Sequence, residues 1–456
     1  MVRRHIGEIM PEPIDWDSVA SEVTGYLQNL LRMDTTNPPG NERLAADYIA
    51  GVLTNEGLHS NLTESAPGRG NITARLEGGG DGLLLLGHTD VVASEPDKWI
   101  HPPFSGRLDN GYVWGRGALD MKNMVAAQLM VFLLIKRQGH TLSRDVIFAA
   151  TADEEAGKGD HGVGWLLDNH PEQVEAPYVI TEGGGNDFEV NGQRFYTCQT
   201  GQKGICRFRM TAEGEPGHGS RPHSDNAVVK VADAAAGLGS ASLPTHVCET
   251  LRAFLNGIGK TQSSHVARKL RDVLDPDLSE EALPELPLST QMVSGLQALL
   301  RNTASVTMLQ AGQKINVIPT EATAWVDGRL VPGRTAEMFF EEIRPFTGNQ
   351  VEFEVDQYSP GLEAGISSPI YATIVDVMGD HDPEAVVVPS ISTGGTDAKH
   401  ICPRRPDTQV YGFMPHRQES GEEEWGLIHG HNERTTVENL VFATRVLHDV
   451  VVRFCT

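Results

Sequence analysis

Cysteine is scarce in this chain. Its five residues, Cys198, Cys206, Cys248, Cys402 and Cys455, are odd in number and scattered, with no CxxC pair. Nothing there suggests a disulfide framework or a thiolate zinc site, and a reducing cytoplasm is the expected compartment. Long apolar runs are missing too: no segment approaches the roughly 20 uninterrupted apolar residues that span a bilayer, so no membrane span is expected. The opening stretch MVRRHIGEIMPEPIDW starts basic and turns acidic and proline-bearing, without the apolar segment of an export signal. It reads as a loose arm leading to a helix over 16–33. Basic residues are in deficit: 37 Lys and Arg against 61 Asp and Glu leave a formal charge of −24. That argues against nucleic acid or an anionic membrane as a partner, while a local site keeps its own sign. There is no internal repeat and no low-complexity tract.

What is present is an ordinary globular composition, 39% hydrophobic and 21% charged, in a chain of 456 residues, long enough to expect two domains. LLLLG (83–87), DVIFAAT (145–151) and PYVIT (177–181) look like strands buried on both faces. Between the first two, residues 121–139 are too long for a strand and end in Lys, Arg and Gly, a helix stop. Strands alternating with helices predict a mostly parallel, doubly wound α/β sheet. Near Thr200 the pattern changes: 204–214 and 320–330 alternate as half-exposed antiparallel strands, 335–346 reads as a helix and 351–358 as another strand. Residues 249–300 lean helical without a clear place. The first pattern returns with strands at 385–390 and 407–413 and a closing helix from Thr435 to about Phe454, opened by a capping box of Thr435 and Glu438. The expected organisation is therefore a domain of 1–199 and 358–456 interrupted by an α+β insertion at 200–357.

Acidic and imidazole residues fall where the apolar runs stop: His88 after LLLLG, Asp120 after WGRGAL, Glu154 and Glu155 after VIFAATAD, Glu182 after YVIT, and His429 in IHGHNE. Open α/β sheets place their chemistry at the carboxyl ends of strands. Asp90 is spaced to accept the other N–H of His88, fixing its tautomer. Asp120, at a loop-to-helix junction, reads either as an N-cap or as a bridge between two cations. Glu154 and Glu155 are neighbours, so one can ligate while the other moves a proton. In HGH, His429 and His431 compete for the last position. Together the set reads as the shell of a two-metal hydrolase.

In this order the motifs GHTDVV, WGRGALDMK, TADEEAG, TEGG, GEPGHGSRPH, INVIPTEATAWVDGRLVPG, STGGTDAK and HGHNE closely resemble the two-zinc amidohydrolases and metallopeptidases that include aminoacylase, acetylornithine deacetylase, succinyl-diaminopimelate desuccinylase, carboxypeptidase G and carnosinase. The resemblance covers nearly the whole chain. It implies a zinc-dependent exopeptidase-like catalytic domain and a ferredoxin-like lid that also forms a homodimer. It makes His88 and Glu182 ligands of one zinc, Glu155 and His429 ligands of the other, and Asp120 the bridge, so that each subunit carries two Zn2+, with Co2+ or Mn2+ also suited to such donors. The family spacing H-x-x-N-E selects His429 over His431, and the peptide after the bridging aspartate is cis in relatives. Glu154 becomes the general base, Asp90 the orienter of His88, and His218 a lid histidine that reaches into the partner subunit to steady the oxyanion. Asn316, Arg329, Gly395 and Lys399 match positions that hold substrate. Where some relatives carry an arginine that grips a carboxylate, this chain has Lys399, which cannot form a bidentate fork. Glutamate at 182 matches members acting on N-acyl amino acids or at a free C-terminus. The implied activity is hydrolysis of an amide in an N-acyl amino acid or small peptide with a free carboxylate. A dipeptidase or carboxypeptidase is the nearer alternative, a catalytically silent ligand-binding relative the remoter one.

Overall fold

The computed structural model describes residues 13–157, 159–418 and 426–456, so most of the expected N-terminal arm lies outside the described residues. The ten-stranded main sheet is parallel at its centre, where Val146–Thr151, Leu83–His88, Tyr178–Thr181 and Gln409–Gly412 lie side by side. Gly70–Leu76 and Ser60–Glu64 extend it antiparallel on one side. On the other side Gln193–Gln202 runs antiparallel and carries Val386–Ser392 parallel to itself.

The leucine run makes a strand because both of its faces find cover. Leu83 and Leu85 join the core on one face, and Leu84 and Leu86 join a separate cluster on the other. Burying each such side chain stabilises the fold by roughly 2 kcal/mol. Helix Lys122–Gln138 explains why its sequence shows no polar face: every residue from Lys122 to Ile135 is buried. It is sandwiched in the same core as helices Trp16–Leu31 and Val437–Cys455, and it stops at Gly139, whose φ of 65° suits a glycine C-cap.

Strands Thr303–Ala311, Glu321–Leu330, Gly204–Glu213 and Glu352–Ser359 form a separate antiparallel sheet in that order. Phe208, Ala324 and Val326 point from it into a core shared with helices Ala227–Gly239 and Ala336–Thr347. The helical stretch left unplaced by sequence packs elsewhere. Leu251, Leu255 and Ile258 of helix Glu249–Gly259 bury against Phe195, Val388 and Ile391 of the main sheet, giving its edge an extra helical cover.

One local expectation needs correction. The closing helix is capped by Thr436, not Thr435: the Thr436 side chain accepts the Asn439 N–H at 3.1 Å. Thr435 is drawn out of the cap because 434–436 form a strand against Tyr112–Trp114, where Thr435 pairs with Val113. Glu438 remains in the helix's first turn.

Candidate active site

Three of the central parallel strands end at the same edge of the sheet. They deliver His88 as the last residue of its strand, Glu154 and Glu155 in the turn after Val146–Thr151, and Glu182 after Tyr178–Thr181. Asp120 comes from the junction before helix Lys122–Gln138, and His429 from the loop before strand Arg434–Thr436. Asp120 is not an N-cap. Met121 occupies that position without a side-chain bond, and the Asp120–Met121 peptide is cis.

Asp120 divides its carboxylate between two imidazoles. Oδ1 is 3.1 Å from His88 Nε2, and Oδ2 is 3.1 Å from His429 Nε2. Glu182 Oε2 lies 3.6 Å from His88 Nε2 on one side, and both Glu155 oxygens lie 3.2 Å from His429 Nε2 on the other. His431 turns away, with Glu95 at 3.8 Å. The ligand-type atoms of His88, Asp120 and Glu155 fall within 4.8 Å of one another, as do those of His88, Glu154 and Glu182. These carboxylates border a cavity of about 260 Å³ whose described lining holds Asp120, Glu154, Glu155 and Glu182 but no Lys or Arg. Burial, and behind it the charge of Asp120, push the Glu182 carboxyl up to about 8. Bonds to Asp120 and Glu155 raise the His429 imidazole to about 10. Such crowding of negative charge is relieved by cations, and a set of two imidazoles and three carboxylates suits divalent zinc, cobalt or manganese.

The loops that carry these groups are tied by buried polar side chains. His88 Nδ1 is 3.0 Å from the Asp90 backbone oxygen and 3.4 Å from its carboxylate. The Asp90 carboxylate also accepts the N–H groups of Glu154 and Glu155, at 3.2 and 3.1 Å, and the Asn37 amide at 2.8 Å. Asp153, at φ +71°, is held by Arg69, which also forks onto Glu42. Glu433 accepts from Arg116, Gly117, Leu119 and Asp120. Of these supports, sequence reading found Asp90 alone. Glu433 lay inside the HGHNE motif and Arg116 inside WGRGALDMK, but Asn37, Glu42 and Arg69 sit in stretches whose pattern does not link them to the site.

The remaining expected residues occupy different places. Gly395 lines the cavity. Lys399 is turned onto Glu154, 2.5 Å from Oε1. Arg329 forks onto Asp327 at 2.7 and 3.2 Å and reaches the Thr393 carbonyl, at the mouth of the glycine loop STGGTDAK (392–399), at 3.4 Å. His218 and Asn316 are neighbours at the short antiparallel pairing of Gly217–His218 with Val317–Ile318, joined by a bond from Gly219 N–H to the Asn316 carbonyl. Both are exposed and neither lines the cavity of its own chain among the described residues.

The chain is 29% identical over 364 residues to the N-fatty-acyl-amino acid synthase/hydrolase PM20D1 of Xenopus tropicalis, covering 78% of this chain and 69% of that one. It is 26% identical over 418 residues to aminoacylase-1 of Sus scrofa, covering 89% and 88%. Its fold matches the M20 family metallo-carboxypeptidase Sso-CP2 of Sulfolobus solfataricus with a TM-score of 0.68 at 18% identity, over 95% of this chain and 99% of that chain. The family profile described as peptidase family M20/M25/M40 matches residues 84–453. With the carboxylate and imidazole cluster at the end of its central strands, the chain belongs to peptidase family M20/M25/M40 and is a metal-dependent hydrolase.

Proposed function

We propose that the chain hydrolyses the amide bond of an N-acyl amino acid with a free carboxylate, using two divalent ions, zinc in the first instance. The observation that carries this reading is the division of Asp120 between His88 and His429 at 3.1 Å each, the arrangement required of a bridging carboxylate. His88 and Glu182 would complete one ion's shell, Glu155 and His429 the other's. When bound, the ions supply Lewis-acid polarisation of the scissile carbonyl and a water that ionises near neutral pH.

The protein's own groups do the rest. Glu154 borders the cavity beside the Glu182 and His88 ligand atoms, so it takes the proton of the attacking water and returns it to the leaving nitrogen. Asp90 fixes the backbone of both glutamates. Arg329, at the mouth of the glycine loop, and Gly395 receive the substrate carboxylate, with Asn316 contributing from the smaller domain. His218 steadies the oxyanion from a second copy of the chain, a role supported by its exposed position away from its own cavity.

A dipeptidase acting at a free α-amine needs an acid to receive that amine. The four acids in the described lining are all engaged, as ligands or as the base, whereas Leu119, Met121, Met124, Met414 and Ile428 offer apolar wall to an acyl group. This favours the deacylase, in keeping with the names of the two sequence relatives.

The test is hydrolysis of paired N-acyl amino acids and dipeptides by zinc-loaded enzyme, with a chelator control. Chelator-sensitive cleavage that prefers the acyl series is expected, and a preference for dipeptides would overturn the deacylase reading. Glu154→Gln should keep its metals and lose turnover; an active, metal-replete variant would remove Glu154 from the role of base.

A further inference from the structure

We propose that Lys399 is a positioning residue for Glu154, holding the carboxylate of the base in place rather than meeting the substrate; this rests on the reading of Glu154 as the base.

Glu154 has a fixed backbone and a free-standing side chain. Its N–H is bound to Asp90, and the preceding Asp153 is pinned by Arg69 and Asn37. Beyond Cα, its one hydrogen-bond partner among the described residues is Lys399. The ammonium makes two contacts to the same residue, 2.5 Å to Oε1 and 3.3 Å to the backbone carbonyl. Bridging a side chain to its own main chain fixes the torsions between them, which a single contact to the carboxylate would not do. Both side chains are nearly buried, at 8% and 10% exposure, so the pair is little screened.

The stem that carries Lys399 is itself anchored. Thr396 donates its N–H and hydroxyl to Gln202 Oε1, at 3.2 and 3.0 Å, and the buried Asp397 accepts from Thr151 at 3.4 Å. Gly395 leaves room for the lysine: a Cβ there would lie 3.3 Å from Lys399 Cδ. Thr151 ends the strand that leads into the Glu154 turn, so strand, glycine loop and ammonium brace the base from one side. A compact ammonium on a flexible stem can reach a carboxylate and a carbonyl of one residue; it is poorly suited to fork onto a substrate carboxylate. The substrate's carboxylate is left to Arg329.

A carboxylate displaced by about 1 Å from its line of proton transfer costs on the order of 100-fold in rate. Lys399→Met is therefore expected to lose about that factor in kcat, with KM and bound metal close to wild type. Lys399→Arg, which keeps the charge, should recover part of the loss. The fractional loss should be equal on an N-acyl amino acid and on its carboxyl-amidated analogue. In a Glu154→Gln background, Lys399→Met should add nothing further, since residues acting through one group are not additive. Melting temperature and metal content of each variant identify any that merely misfolds, and the Arg variant then carries the comparison.

If Lys399→Met raises KM alone, and only for substrates with a free carboxylate, Lys399 is a substrate clamp and the inference falls while the base assignment stands. If Glu154→Gln turns over normally, the base assignment falls and takes the inference with it.

Discussion

The carboxylate of Glu433 accepts the backbone N–H of Asp120 at 3.1 Å, so the loop that presents His429 grips the residue lying between the two imidazoles. The same carboxylate binds Leu119 N–H at 2.7 Å and pairs with the buried Arg116 guanidinium. Asp90 does the equivalent for the Glu154–Glu155 turn. Two buried carboxylates thus set the backbone of two ligand-bearing loops.

Replacing Glu433 should therefore damage metal binding as well as stability. Glu433→Ala leaves Arg116 buried without a counter-charge, a loss of about 3–5 kcal/mol. Glu433→Gln, which keeps an acceptor for the N–H groups, should fold better while metal affinity drops about 10–100-fold, the usual effect of removing an outer support of a ligand. Titration of the metal-free variants with zinc checks this, and wild-type affinity in Glu433→Gln would show that the amide clamp is irrelevant to the metals.

Metal loading should release protons. In the metal-free chain Glu182 titrates at about 8 and His429 at about 10, so both hold protons at neutral pH that ligation must expel. Apparent affinity should climb with pH from about 6 to 8. Calorimetry in buffers of different protonation enthalpy measures the protons released at pH 7. At about 1,000 times Kd the ions should add about 4 kcal/mol of stability, which a chelator removes as a fall in Tm.

Lys203 offers a pH signature away from the metals. Its ammonium donates to the Ala298 and Arg301 carbonyls, both at 2.8 Å, and burial pushes it down to about 7 from an ordinary 10.5. Between those values the unfolded chain binds a proton that the folded chain does not, so Lys203 makes stability rise with pH and lowers it as pH falls toward 7. The slope is at most about 1.4 kcal/mol per unit. Denaturant titrations at about pH 8 and 10 should show a flatter dependence in Lys203→Met; parallel slopes would mean that Lys203 stays charged when buried.

His218 gives a test of assembly. If it serves the partner's site, His218→Ala and Glu154→Gln chains should each be nearly inactive alone. Mixed under exchange, they should recover about a quarter of wild-type activity, from heterodimers with one complete site. Exposed Met308 and Leu309, on the outer strand of the four-stranded sheet, are apolar surface that a second copy would cover. A monomer by light scattering, or no recovery on mixing, removes the trans role.

Much of this protein is determined by local pattern alone. A run such as LLLL, bounded by glycines, becomes a strand covered on both faces, and the first polar residue after it, His88, must then emerge at the sheet edge. Because the neighbouring strands run parallel, the same rule brings Glu154, Glu155 and Glu182 to that edge, so strand endings were enough to collect these four, whereas Asp120 and His429 come from a loop-to-helix junction and a distant loop. Tertiary structure decided what no spacing encodes. Asn37 reaches Asp90 across 53 residues, and Glu433 reaches Asp120 across 313. Thr435 gave up a helix cap to a strand pairing, and Lys399 turned to Glu154. Helix Glu249–Gly259 chose the main sheet, because Leu251 and Ile258 found apolar cover there. Side-chain partners between distant segments are selected by burial and charge after the chain has packed, and that selection leaves no period in the sequence.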